Sequence, residues 1–537
     1  MNVKQPLESL SECVEGVAGT GRFGRFYITT AIDYPNAAPH VGHALEKVIA
    51  DIQARYHRLL GDDTFFSTGL DENSLHVLRA AREANVEPHA WVAALEARFR
   101  EEWRKLDISY DRWIRTTEEA HRGVAEEIFR RAWARGDIYR TTYSGWYCPN
   151  CNNFYKDEDL RDGHCPDHPS ISPEWLNEEN YFFALSRYED QLRTYIEEHP
   201  DFIVPTSRRA EVLGVIKQGL RDFSISRQVR PGLENWGIPV PEDPQQVLYV
   251  WFDALTNYLT TIGFLQDEER FARYWPADAH VIGKDITRFH CLYWPAILLS
   301  AGLPLPRQVA VHGFITLEGK RFSKSSGNVI APSALVDVVG SDALRYYLLR
   351  NLSLTADGNF TREGLLRAYN DELGNDLGNL LQRLVVLIKR FRGGTIPRPG
   401  SVTPLEEEVQ ALVVQGGALV GRALEEWEPG RALEEAWRCV RRVNLYIEQS
   451  EPWKLAKQPG QEERLDTVLY TAAEALRLLS LWLVPFIPAT SRRLREQLGL
   501  EPLVNGAWRT EGHWGARDLT QVVPGGVLFP RLEDIEV

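Results

Sequence analysis

Methionine is almost absent from this 537-residue chain: Met1 is the only one. Compositional drift is the simplest account, and the absence excludes nothing about the fold. Cysteine is scarce too, six in all, and three of them fall between Cys148 and Cys165. In a long chain without export features, such a cluster points to metal ligation rather than disulfides. The first twenty residues hold no apolar stretch of signal-peptide length, so export is not expected. The longest apolar run near the C-terminus, Leu478 to Ile487, is broken by Pro485 and is far too short to cross a bilayer. A cytoplasmic protein without membrane association is the expectation. Positive charge is in deficit, 61 Lys and Arg against 75 Asp and Glu, net −14. That excludes a uniformly basic nucleic-acid-binding surface but leaves room for a local basic strip.

What is present has the balance of a globular protein, 44% apolar and 25% charged, with length for about three or four domains. Phe26 to Ile32 reads as a buried strand, aromatic and β-branched, ending in a Pro35-Asn36 turn. From His40 to Leu60, Val41, Leu45, Val48, Ile49, Ile52, Tyr56 and Leu59 recur at helical spacing, and Gly61 stops the helix. Thr64 to Thr68 reads as a second strand. Strand, helix, strand opens a parallel α/β sheet. The pattern lapses over a cysteine-bearing stretch, returns with expected strands at Val247–Trp251, His280–Gly283 and 309–316, and turns helical from about residue 369. Expected helices are Leu377–Phe391, Leu433–Glu448 and Leu465–Leu483. The organisation predicted is a tail (1–24), a nucleotide-binding α/β domain in two halves (25–135 and 248–312) around an insertion (136–247), a linker domain (313–368) and a helical domain (369–537).

Two elements carry chemistry. His40 and His43 stand three apart in the first turn of a helix that follows a strand, on one face. A helix N-terminus offers unpaired N–H groups and a positive dipole end to phosphate. Gly42 leaves room for a flat ring against the backbone, and paired imidazoles suit donation to phosphate oxygens as their charge grows. The second element is the basic small-residue loop Gly319 to Asn328, in which Lys324 can reach a β/γ-phosphate. A third cluster, Cys148-x2-Cys151-x13-Cys165-x2-His168, has the spacing of a structural four-ligand zinc knuckle, with His164 as a rival fourth ligand. One zinc per chain is expected.

Together these elements resemble the signature pair of class I aminoacyl-tRNA synthetases: H-x-G-H after the first strand, and a K-M-S-K-S-like loop, here Arg321-Phe322-Ser323-Lys324-Ser325, before a helical domain. Within that class the chain is most similar to the methionyl-tRNA synthetase family, from about Phe26 to the C-terminal helices. The resemblance implies a Rossmann-like parallel-sheet catalytic domain split by a zinc-knuckle insertion and followed by an α-helical anticodon-binding domain. It implies ATP-dependent activation of L-methionine, with Mg2+ accompanying ATP, and transfer of the methionyl group to the 3′-terminal ribose of tRNA(Met). By this likeness His40, His43 and Lys324 are catalytic, and Gly42, Gly283, Lys284, Asp285, Ser323 and Ser325 hold ATP. Ile32, Tyr34, Asp71, Trp251, Tyr258, Ile286, Phe289 and His290 surround methionine, whose polarizable sulfur is attracted to ring edges. Asp71 pairs with the substrate ammonium. The family also carries a zinc knuckle in its insertion.

In the helical part Asn379 and Arg383 lie four apart on one face, and between Leu377 and Gly400 there are five Lys or Arg and no Asp or Glu. Trp453 follows Pro452 near a helix start. An amide, a guanidinium and an indole suit unstacked RNA bases, and the resemblance makes these three the readers of a CAU anticodon. No appended dimerisation module is visible, so a monomer is expected. Three departures from the family pattern stand out: Asp33 in place of an uncharged residue, Asn73-Ser74 in place of His-Gly, and Phe322 in place of Met. None removes an expected catalytic group; the first two bear on substrate affinity. The rivals are a synthetase for another apolar amino acid, an adenylate-forming metabolic paralogue, and a non-catalytic tRNA-binding relative.

Overall fold

The computed structural model describes residues 24–148, 153–166, 172–229, 236–321, 329–351 and 355–536. Its centre is a six-stranded, all-parallel sheet: β1 (Arg25–Thr30), β2 (Asp63–Leu70), β3 (Arg112–Arg115), β4 (Ile203–Val204), β5 (Ala279–Gly283) and β6 (Val309–His312), in spatial order β3-β2-β1-β5-β6-β4. Successive side chains of β1 alternate between two cores. Phe26 and Ile28 join a core that runs on into the C-terminal helices, and Tyr27 joins the core beneath the insertion. With both faces covered, the strands are apolar on both sides, which is why they read as runs rather than alternations. The order reverses between β1 and β5, and ligand crevices form outside the carboxyl ends of strands at such a switch point.

Helix α1 (Val41–Leu60) follows β1 and ends on Gly61 at φ 94°. Its buried face meets both the sheet and the helical region. Gln53 Nε2 donates to the Leu424 carbonyl (2.8 Å), and Tyr56 packs edge-on against Trp508. Asp51, fully buried, is paired with Arg55 and with Arg345, whose guanidinium also donates to the carbonyls of Pro485 and Phe486. The helical region begins with a wide-turn stretch, Ala368–Gly378, that runs directly into α2 (Asn379–Arg392), followed by α3 (Pro404–Glu425), α4 (Pro429–Ser450) and α5 (Glu462–Trp482).

Three expectations are corrected. Val247–Trp251 is not a strand of the parallel sheet. Asp243–Leu248 pairs antiparallel within a separate three-stranded sheet, and Val250–Ala254 is helical, with Tyr249 at its N-cap. The 309–316 strand is two: β6 ends at His312 and Ile315–Leu317 joins a different sheet with Lys320–Arg321 and Gly358–Phe360. Gly313 sits at the break, where a Cβ would lie 2.3 Å from the Ala356 carbonyl oxygen. Finally, the stretch 136–247 is not wholly an insertion, because Ile203–Val204 completes the edge of the parallel sheet beside β6. Among its described residues the longest pairing is antiparallel, Ile138–Cys148 with Glu174–Phe183.

Candidate active site

The loops after β1, β2 and β5 converge at the switch point. His40 is the N-cap of α1, in extended backbone (φ −134°, ψ 172°). Its Nδ1 accepts from the Gly42 N–H (3.1 Å), while the His40 N–H donates to His43 Nδ1 (3.2 Å). This is a capping box built from two imidazoles. With each Nδ1 accepting, each neutral ring carries its proton on Nε2, so both distal nitrogens are donors. The rings lie 4.0 Å apart, and His43 rests edge-on against Phe99. All of His40, Gly42 and His43 are half-buried.

A set of half-buried and buried rings forms a second cluster. Trp251 stacks on Phe289 at 4.0 Å and 9°, and Tyr34 meets Trp251 edge-on at 6.3 Å. His290 donates from Nδ1 to the Ile286 carbonyl (3.1 Å), which leaves Nε2 to accept from the Tyr258 hydroxyl (2.7 Å). Burial pushes the His290 imidazole down to about 4, so this ring stays neutral and the wall uncharged. His280 stacks on Tyr258 from behind, held by Thr29 and Trp294. Tyr27 donates to the Tyr258 carbonyl (2.8 Å) and steadies that residue's backbone.

At the end of β2, Asp71 is buried with one carboxylate oxygen unpartnered. Burial, and then the neighbouring Asp253 carboxyl, hold it well above the usual carboxylate range. After β5, Gly283 leads into Lys284-Asp285-Ile286. Gly283 is in extended backbone (φ −72°, ψ 154°), and a Cβ there would press on the Asp285 carboxylate at 2.8 Å, so a larger residue would displace that side chain. Lys284 is bonded to Asp357 through both carboxylate oxygens (2.7 Å) and lies over Phe314. Ring contacts and hydrogen bonds bring Tyr34, Trp251, Tyr258, Ile286, Phe289 and His290 together, and Asp71 acts on Tyr34; His40, Gly42 and His43 form the cap of α1, Gly283 ends β5, and Ile32 is half-buried in the β1 loop. Lys324, Ser323 and Ser325 lie outside the described residues.

The family model described as tRNA synthetases class I (M) matches residues 26–172 and 169–385. The methionine–tRNA ligase of Caldanaerobacter subterraneus subsp. tengcongensis is 44% identical over 510 residues, covering 95% of this chain and 79% of that one. The Bacillus subtilis methionine–tRNA ligase is 41% identical over 524 residues, covering 95% and 78%. The Mycobacterium tuberculosis methionyl-tRNA synthetase in complex with methionyl-adenylate superposes with a TM-score of 0.90 at 39% identity, over 95% of this chain and 100% of that one. The chain belongs to the class I methionine–tRNA ligases.

The places where it departs from the family pattern have structural partners. Asp33 pairs with the buried Lys47 (3.0 Å), which is also held by Glu46 (2.8 Å) and the Ala31 carbonyl; burial pushes the Asp33 carboxyl up to about 6. Asn73 Nδ2 donates to Asp253 Oδ2 (2.9 Å) and to the Thr116 carbonyl (3.2 Å). Ser74 caps the helix Leu75–Glu83, accepting from the His76 N–H (3.2 Å). Phe322 lies outside the described residues. Asp253 is an acidic side chain inside the apolar run Val250 to Leu255, and the structure buries it completely.

Two outlying sets are only partly described. Cys148, the last residue of its strand, and Cys165 are buried; Cys151 and His168 lie outside the described residues. The rival ligand His164 has its Nδ1 bonded to the Asp162 carbonyl (2.9 Å). In the helical region Asn379 and Arg383 line one open concavity of about 280 Å³ with Arg441, Asn444 and Glu448. Trp453 is exposed on the next helix, Pro452–Leu455, and does not line that concavity. No helix among the described residues is long and apolar enough to cross a membrane.

Proposed function

We propose that the chain is a methionine–tRNA ligase working in two steps at the switch-point crevice. The carboxylate of L-methionine attacks the α-phosphorus of ATP, forming methionyl-adenylate and releasing pyrophosphate. A terminal ribose hydroxyl of tRNA(Met) then attacks the adenylate carbonyl, and AMP leaves. The similarity over 95% of the chain to methionine–tRNA ligases, one of them solved with methionyl-adenylate, carries this reading.

The residues divide the work. The N-terminus of α1 receives phosphate, and the Nε2–H donors of His40 and His43 face charge as it develops on the phosphoryl oxygens. Lys324 supplies a cation to the leaving pyrophosphate, with Ser323 and Ser325 beside it in sequence. Gly42 admits adenine, and the Gly283-Lys284-Asp285 turn borders the ribose. Mg2+ accompanies ATP and offsets phosphate charge. The rings of Tyr34, Trp251, Tyr258, Phe289 and His290, with Ile32 and Ile286, enclose the thioether, and Asp71 takes the ammonium. The chemistry needs positioned charge more than a nucleophile or a general base. Cys148, Cys151, Cys165 and His168 hold one structural zinc. Asn379, Arg383 and Trp453 read the anticodon, and the protein acts as a cytoplasmic monomer.

Pyrophosphate exchange tested with each of the twenty amino acids checks the assignment. Methionine alone should support rapid exchange; equal exchange with leucine or isoleucine would overturn it.

A further inference from the structure

Asp71 and Asp253 come from different elements, the end of β2 and the helical turn Val250–Ala254, yet Asn73, two residues after Asp71, bonds Asp253, and the charges of both carboxyls act on Tyr34. Both residues are buried, and each keeps one oxygen, Oδ1, without a hydrogen-bond partner. No lysine, arginine or histidine among the described residues pairs with either carboxyl. The remaining oxygen of Asp253 accepts from Asn73 Nδ2 (2.9 Å), a neutral amide that cannot supply charge. Two buried carboxylates without a cation are not both ionised in a low-dielectric site: they share a proton until a positive charge arrives.

The geometry points to Asp253 as the second carboxylate of the methionine ammonium subsite, so that substrate binding expels the proton the Asp71–Asp253 pair holds in the free enzyme. This rests on the reading of Asp71 as the ammonium partner. Among the described residues, the other titratable groups around the pair form no ion pair with it. Glu72, beside Asp71, is neutralised by Arg115 (2.7 Å). Tyr34 comes from the β1 loop, Tyr249 and Tyr258 flank the Asp253 turn, and Asp285 follows β5. His76 meets the ring of Tyr34. Burial first, and then mutual repulsion for Asp71, raise both carboxyls well above the ordinary range, in keeping with a retained proton.

The sign follows. In the free enzyme the pair binds one proton more than in the complex, so methionine affinity rises with pH until the pair ionises unaided, by up to roughly tenfold per pH unit. Titration calorimetry of the full chain with L-methionine, at about pH 6.5 in phosphate and in Bis-Tris, reads the proton count from the difference in heat. Release of about one proton is expected for the wild type. None is expected with 4-(methylthio)butanoic acid, which lacks the ammonium. Asp253→Asn should still bind methionine but release almost none, because a lone Asp71 ionises more readily. Equal heats in the two buffers for the wild type would overturn the proposal, as would undiminished release by Asp253→Asn. Should that variant bind no methionine, the pH dependence of wild-type affinity decides alone, a flat profile being the refutation. Asp71→Asn tests the underlying reading separately: wild-type affinity there would remove Asp71 from the ammonium site, whatever the proton count.

Discussion

Substituting His40 in two ways separates its jobs as a helix cap and as a transition-state donor. In the structure Nδ1 caps α1 by accepting from the Gly42 N–H, while Nε2 carries the proton. An asparagine places its carbonyl oxygen near the Nδ1 position and has nothing at Nε2. A glutamine reaches the Nε2 position with an N–H but cannot cap. Asparagine is among the best N-caps, so His40→Asn should change stability by less than about 0.5 kcal/mol, whereas His40→Gln should cost about 1 kcal/mol. Loss of a preorganised donor to a developing oxyanion costs about 3 kcal/mol, roughly a hundredfold in rate. His40→Asn should therefore fold well and activate slowly; His40→Gln should be the less stable and the faster of the two. Rapid-quench measurement of methionyl-adenylate formation, with urea unfolding beside it, reads both axes. Adenylate formation by His40→Asn within about threefold of wild type would refute the donor role, since a lost donor predicts far more.

Trp453→Ala should lower aminoacylation of tRNA(Met) by roughly 10-fold or more, the scale of one lost base stack, and leave methionine-dependent pyrophosphate exchange unchanged; equal loss of both would contradict a role confined to RNA. Three fully buried histidines make the fold acid-sensitive. Burial pushes His121 down to about 3 and His290 to about 4, and holds His280 well below the ordinary value. The unfolded chain binds protons at about pH 6.5 that the native state refuses. Their contribution to stability therefore falls as pH drops from there towards about 4, by up to about 1.4 kcal/mol per histidine per unit, against the opposite contribution of raised carboxyls such as Asp33, and a His121→Gln variant whose thermal midpoint keeps the wild-type pH slope between about pH 7 and 5 would refute this. Metal analysis of gently purified protein should return about one zinc per chain, lost together in Cys148→Ser; a metal-free wild type would sink the knuckle.

Helix α1 was legible because nothing competed with its signals: the apolar spacing, a capping residue and Gly61 all agree with tertiary packing. The helices α2, α4 and α5 were legible for the same reason. The edge strand Ile203–Val204 was not, because two residues leave no period to detect. Val247–Trp251 misled because a short apolar run fits a strand or a buried helical turn equally, and only its partner strand decides. Within the site, residues next to glycines or histidines in sequence announced themselves. Asp253 did not, because what distinguishes it is its burial and that no cation among the described residues pairs with it. Asn73 looked like a departure until its bond to Asp253 gave it a purpose.

The grip of the C-terminal helices on α1 has a thermodynamic consequence. Asp51, Gln53 and Tyr56 are anchored to residues hundreds of positions away, and one apolar core runs from Phe26 to Ile535 without a seam. Cutting the chain between sheet and helices would strand the buried Arg345–Asp51 pair and expose that core on both fragments. The helix that presents His40 and His43 thus has no native state independent of the helical bundle, and calorimetry should record both regions melting together in one endotherm.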